Sequence, residues 1–147
     1  MDDKKNDDCQ LNSCLFFSSC KLARVMSKFA EEKFRITGLS PSHAFLLYLV
    51  NNNDGIQQKE IGERLHMTPS TITRFVDKLN RMGLVSRKAD GKNAYIFATE
   101  EGKLLQSDIL KAWGSVRQSY SDILAPQEKE EFIATVNKLI ANLEDKG

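Results

Sequence analysis

Long apolar runs are missing from this sequence: the longest, Ala44 to Val50, has seven residues, whereas a helix that crosses a bilayer takes about 20. The opening residues, Met1 to Asp8, are acidic and polar rather than basic and then apolar. No signal peptide is therefore expected, and the protein is read as cytoplasmic. Cysteine is scarce. Cys9, Cys14 and Cys20 are an odd number crowded near one end, which excludes the framework of a secreted disulfide scaffold and leaves free thiols. His43 and His66 are the only histidines, and no Cys or His pair has tight metal-ligand spacing, so no metal is expected. A glycine-rich phosphate loop, a zinc-hydrolase motif and a nucleophile elbow are all absent, so neither a catalytic site nor a cofactor is expected. The enzymatic alternative is a cysteine thiol peroxidase.

What is present is the usage of one soluble globular domain: 147 residues, 41% hydrophobic and 28% charged, enough to bury a single core. The formal net charge of +1 conceals a division along the chain. From Gln57 to Asn93 there are eight bases against four acids, and from Glu100 onward six bases against nine acids. A basic middle between acidic flanks is the asymmetry expected where the centre meets a polyanion.

Periodicity then places the elements. Leu15, Leu22, Val25 and Phe29, with Phe34 and Ile36 less regularly, mark a first helix over about 10–36, which Gly38 can stop. Ser40 followed by Pro41 is an N-cap with proline at the first helical position, opening a helix through Val50. After a turn at 51–55, a short helix over 57–66 turns Ile61 and Leu65 inward, and Thr68 with Pro69 repeats the cap signal for a helix to Met82, closed by Gly83. The next stretch changes period. Residues 84–88 and 93–98 read as a β-hairpin turning at Asp90-Gly91. Thr99 caps a long helix with a stripe of Leu105, Ile109, Trp113, Val116, Tyr120 and Ile123. Beyond Pro126 a final helix carries Phe132, Val136, Leu139 and Leu143. The stripes on the terminal helices lack an obvious cover inside so small a unit, which points to a homodimer.

The two short central helices have the form of a helix-turn-helix, whose second helix enters the major groove. At an advance of about 100° per residue, Ile72, Phe75, Val76, Leu79 and Met82 form its inward face, while Ser70, Thr73, Arg74, Asp77, Lys78 and Arg81 point outward. Small hydroxyl residues at the start of such a helix permit close approach to base edges, and its free N–H groups attract phosphate. Ser70, Thr71 and Thr73 can donate to bases or phosphates, and Arg74 can chelate guanine O6 and N7. In the hairpin, Arg87, Lys88 and Lys92 make a basic finger suited to a minor groove or its phosphates. Asp90 within it reads as a turn residue or as an ion-pair partner of Arg87. The architecture expected is mainly α with a small β-hairpin wing, a winged helix-turn-helix.

In order and spacing these segments resemble the MarR family of bacterial winged-helix transcription regulators. The resemblance is carried by Leu39-Ser40, by Gln58 to Leu65 (QKEIGERL), by Ser70-Thr71-Ile72-Thr73-Arg74 with Leu79, by Met82-Gly83-Leu84-Val85 with Arg87, and by the interval from Asp90 to Thr99 and Gly102. It implies one MarR-like domain over 1–147, with dimerisation helices in 1–38 and 103–147 and a DNA-binding winged helix-turn-helix in 39–102. It further implies a homodimer on a pseudo-palindromic operator of double-stranded DNA, probing it with Gln58, Lys59, Ser70, Thr71, Thr73, Arg74, Lys78, Arg87, Lys88 and Lys92. The function implied is a repressor released by a small-molecule effector or by thiol oxidation, with Cys14 the redox candidate. The sequence departs from the family pattern in having His43 where glutamine is common and Lys92 where arginine is usual. The alternative from another class is a winged helix used for protein contact without DNA.

Overall fold

The computed structural model describes residues 2–145. In chain order it contains α1 (Asp2–Asn12), α2 (Leu15–Lys33), a 3-10 turn (Phe34–Thr37), α3 (Pro41–Asn52), β1 (Ile56–Gln57), α4 (Gln58–Leu65), α5 (Pro69–Arg81), β2 (Val85–Asp90), β3 (Asn93–Ala98), α6 (Glu100–Leu104), α7 (Gln106–Ser121) and α8 (Pro126–Glu144). Packing divides the chain into two units, one ending at Trp113 and the other beginning at Gly114, inside α7.

The cap signals act as the sequence implies. Ser40 Oγ accepts from His43 N at 3.3 Å, Thr68 Oγ1 from Thr71 N at 3.4 Å and Thr99 Oγ1 from Gly102 N at 3.1 Å, each satisfying an N–H that the first helical turn leaves without a partner. Helix α5 ends in a pair of reverse bonds, Gly83 N to Asn80 O at 3.0 Å and Leu84 N to Leu79 O at 2.9 Å, the Schellman pattern. Helix α4 ends the same way, with His66 N donating to Glu63 O and Met67 N to Gly62 O. There the left-handed residue is His66, at φ 54°, an uncommon conformation for a side chain-bearing residue. It sets the tight turn between α4 and α5.

The core of the first unit is made by one face from each element. Leu46, Leu47 and Val50 of α3, Ile61 of α4, Ile72, Val76 and Leu79 of α5, Val85 and Ile96 of the hairpin and Ile109 of α7 are all buried. Trp113 closes one side, its ring centroid 4.9 Å from Phe45 and 5.1 Å from Tyr48.

Several expectations are corrected. The first helix is two, α1 and α2, separated at Ser13 and Cys14. Ser13 N still donates to Cys9 O, but Cys14 is extended (φ −83°, ψ 119°) and its N–H reaches Leu11 O instead. Asn12 O accepts from Ser18 Oγ, a side-chain bond in place of the next rung of the ladder. The sheet has three strands, in the order β1-β3-β2, because Ile56 and Gln57 pair with Ile96 and Tyr95. The hairpin turn is Gly91-Lys92, since Asp90 pairs with Asn93. Only Gly91 of the two has positive φ, at 62°, the pattern of a type II′ turn with glycine first. Met82 is exposed rather than inward. The helix after Thr99 is interrupted at Leu105 into α6 and α7, and Ile123 lies beyond the end of α7 and is 76% exposed.

In the second unit α8 opens with Ala125 N donating to Glu128 Oε1 at 3.1 Å. Phe132, Ile133, Leu139, Ile140 and Leu143 are exposed along it. In the first unit the stripe of α2 is likewise open: Leu15, Phe16, Leu22, Val25, Met26 and Phe29 are all exposed, and α2 buries no residue. No helix among the described residues is long and apolar enough to cross a membrane.

Candidate nucleic-acid interface

Helix α5 is fixed by the burial of Ile72, Val76 and Leu79, so its opposite face cannot turn inward without emptying the core. That face carries Ser70, Thr73, Arg74, Lys78 and Arg81, all exposed. Arg74 has no hydrogen-bond or ion-pair partner among the described residues, so its guanidinium fork is available as a bidentate donor. Thr71 is half-buried, and its hydroxyl accepts from Thr68 Oγ1 at 2.9 Å. Ser70 Oγ lies 3.3 Å from the same oxygen.

The wing is joined to this helix by a chain of polar contacts. Arg87 of β2 places Nη2 at 2.8 Å from Asp77 Oδ1 of α5. Its Nε donates to Gln58 Oε1 at 3.2 Å, and Gln58 Nε2 donates in turn to Thr73 Oγ1 at 3.0 Å. Gln58 and Arg87 are therefore occupied within the protein, and they position the recognition helix against the wing. The partner of Arg87 is Asp77 of α5 and not Asp90 of the turn. An acid on an otherwise basic outward arc was the available signal, but periodicity gives no means of pairing it with a residue on a distant strand. Lys59, Lys88 and Lys92 are exposed. Lys59 and Lys92 border an open cleft of about 600 Å³ whose lining also includes Met67, Pro69 and Ile72.

His43 departs from the family pattern in sequence, and the structure gives it specific neighbours. In α3 its ring stacks on Phe75 of α5, with centroids 4.0 Å apart and planes 26° apart, and Nδ1 contacts Ser40 Oγ. Desolvation by burial, helped by the positive charge of Lys78, pushes its pKa below the ordinary imidazole value. The folded state therefore resists a proton that the unfolded chain accepts. This contribution to stability is whole above about pH 6.5 and is lost as pH falls through the folded pKa. We expect the thermal midpoint of the protein to decline more steeply between about pH 7 and 5 than that of His43→Gln. Parallel curves for the two would remove His43 from the account.

Cys14 is exposed at the N-cap of α2, Cys9 is exposed and Cys20 is half-buried, and all three are free thiols. No group of three or more His, Cys, Asp and Glu side chains able to hold a metal occurs among the described residues.

A helix-turn-helix with a partner-free arginine on its outward face, followed at once by a β-hairpin with a basic tip whose sheet takes its third strand, β1, from just before α4, defines the winged-helix class. The model of the MarR family matches residues 39–94. The transcriptional repressor YetL of Bacillus subtilis is 30% identical over 138 residues, covering 88% of this chain and 80% of YetL. The chain belongs to the MarR family of transcriptional regulators. The repressor MdtR of the same organism is 24% identical over 100 residues, and that match spans 66% of this chain and 64% of MdtR. Among solved structures, the Staphylococcus aureus MepR–DNA complex superposes with a TM-score of 0.80 at 20% identity, over 88% of this chain and 98% of that one.

Proposed function

We propose that the protein acts in the cytoplasm as a homodimeric, sequence-specific repressor on double-stranded DNA, with no catalytic activity of its own. The observation that carries this reading is the outward face of α5: Arg74 is partner-free and exposed while Ile72, Val76 and Leu79 on the same helix are locked in the core. The likeness of the fold to a MepR bound to DNA supports it. Ser70 and Arg74 address base edges, Lys59 and Lys78 lie beside them toward the backbone, and Lys88 and Lys92 meet phosphates along the neighbouring groove. The apolar stripe of α2 and, separately, that of α8 are open to a second copy of the chain, and contiguous exposed apolar residues mark association. A two-fold dimer presents two recognition helices to successive grooves about 34 Å apart. An effector, or oxidation of the exposed Cys14, that alters this spacing releases the DNA. A winged helix devoted to protein contact would carry apolar residues on the outward face of α5, where Ser70, Thr73, Arg74 and Lys78 stand instead.

The test is selection of duplexes from genomic fragments with the purified protein, with and without a peroxide, followed by binding measurements across salt concentration. Enrichment of one imperfect palindrome, bound with a steep negative salt slope, is expected. Lys92→Ala should weaken cognate and random duplexes alike and make the slope shallower by about 2 for a dimer, one phosphate contact per half-site. A duplex-independent signal or an unchanged slope would overturn these assignments.

A further inference from the structure

Thr73 lies on the reading face of α5, yet its hydroxyl is already committed. The single proton of Oγ1 is donated to Pro69 O at 3.0 Å. Oγ1 also accepts from Gln58 Nε2 at 3.0 Å. Gln58 cannot swing away freely, because its Oε1 accepts from Arg87 Nε and Arg87 is held by Asp77. A threonine hydroxyl has one donor, so donation to a phosphate, to guanine or to thymine O4 would require breaking the bond to Pro69. What an exposed Thr73 retains for DNA is one acceptor lone pair on Oγ1 and its Cγ2 methyl.

We propose that Thr73 reads DNA through that methyl, packing it on the 5-methyl group of one thymine in each half-site, and that Gln58 is the positioning residue which holds the rotamer. This deepens the DNA-binding reading above and rests on it. Apolar contact with the thymine methyl is an established means of base discrimination in the major groove. The chain Asp77–Arg87–Gln58–Thr73 makes this contact a property of the wing as well as of the helix, because β2 supplies the arginine that fixes the glutamine.

The probe is the duplex most enriched by selection from random sequence, with its thymines replaced one at a time, symmetrically in both half-sites, by deoxyuridine, which lacks only the methyl. At one symmetric pair of positions wild-type affinity should fall roughly fourfold per half-site, the worth of one buried methyl. Thr73→Ser keeps the hydroxyl and loses the methyl. It should bind the thymine duplex as weakly as the wild type binds the uracil duplex, and should not distinguish the two. Thr73→Val keeps a methyl without the hydroxyl and should retain sensitivity to uracil. Gln58→Ala should shrink the thymine-over-uracil preference while leaving the salt slope unchanged, a combination that general loss of folding does not produce. Uracil sensitivity that persists in Thr73→Ser, or a wild type indifferent to every replacement, overturns the proposal with DNA binding intact. Failure to enrich any duplex overturns the DNA-binding reading itself.

Discussion

Gly102→Ala is expected to cost at least about 3 kcal/mol of folding stability, the upper end of what overpacking usually costs. The reason is a close approach between main chains. A Cβ built at Gly102 would lie 2.1 Å from Leu84 O, well inside contact distance, and 3.1 Å from the Leu84 carbonyl carbon. Neither atom can move alone. Leu84 O accepts from Thr99 N at 3.1 Å, Thr99 Oγ1 donates to Gly83 O at 2.6 Å, and Leu84 N is bound to Leu79 O at the end of α5. On the other side Gly102 O accepts from Asn51 Nδ2, which also donates to Gln106 Oε1. Alanine therefore pries α6 away from the junction where the recognition helix passes into the wing, and it disturbs the anchor to α3 as well. Urea unfolding of the variant should show the loss directly. Gly114→Ala provides the contrast, because nothing lies within 4 Å of the Cβ it would add. In a helix interior that change should be neutral or stabilise by up to about 1 kcal/mol. Equal midpoints for Gly102→Ala and the wild type would mean that the junction is not packed as described.

The same junction marks the boundary of what the sequence makes legible. Helix starts are written locally: Ser40-Pro41, Thr68-Pro69 and Thr99 each carry their own cap, and each begins a helix where expected. The inward face of α5 is likewise local, because the period of a helix assigns Ile72, Val76 and Leu79 to one side, and all three are buried. Met82 fits the same period but falls at the cap of α5, where the helix has ended. Strand β1 is two residues long, too short for any alternation to register. Its partner in β3 lies some forty residues on, by a pairing of Ile56 with Ile96, and periodicity carries no information at that separation. Among the candidate site residues the same rule holds. Exposure of Ser70, Arg74, Lys78, Lys88 and Lys92 was readable from position. That Arg87 would be held by Asp77, and Gln58 by Arg87 and Thr73, was not, because these bonds are made between elements and each depends on the rotamer of the next. The turn at Gly91-Lys92 moves one residue from its expected place because strand register, and not the dipeptide alone, decides which two residues are unpaired.

Arg74→Ala should remove most of the sequence preference while leaving an intact fold, and this is the largest functional effect expected of a single substitution. A bidentate contact to guanine O6 and N7 discriminates by about 1–3 kcal/mol, and a symmetric dimer makes it twice. Cognate affinity should then fall by between about 30-fold and 10⁴-fold relative to the wild type. Binding to random duplex should fall much less, by the loss of one cation per half-site. The fold is spared because Arg74 is exposed and its side chain makes no hydrogen bond or ion pair with another described residue, and the buried face of α5, Ile72, Val76 and Leu79, is untouched. Arg74→Lys separates geometry from charge. Lysine keeps the positive charge and so the salt slope, but it lacks the planar fork, and its discrimination should resemble that of alanine more than that of arginine. Competition binding with cognate and random duplexes, run on all three proteins, gives the ratio directly. If alanine weakens both duplexes by the same factor, Arg74 is a phosphate contact. Specificity must then reside in Ser70, Thr73 and the wing, and the half-site should show no preference for guanine opposite the sixth residue of α5.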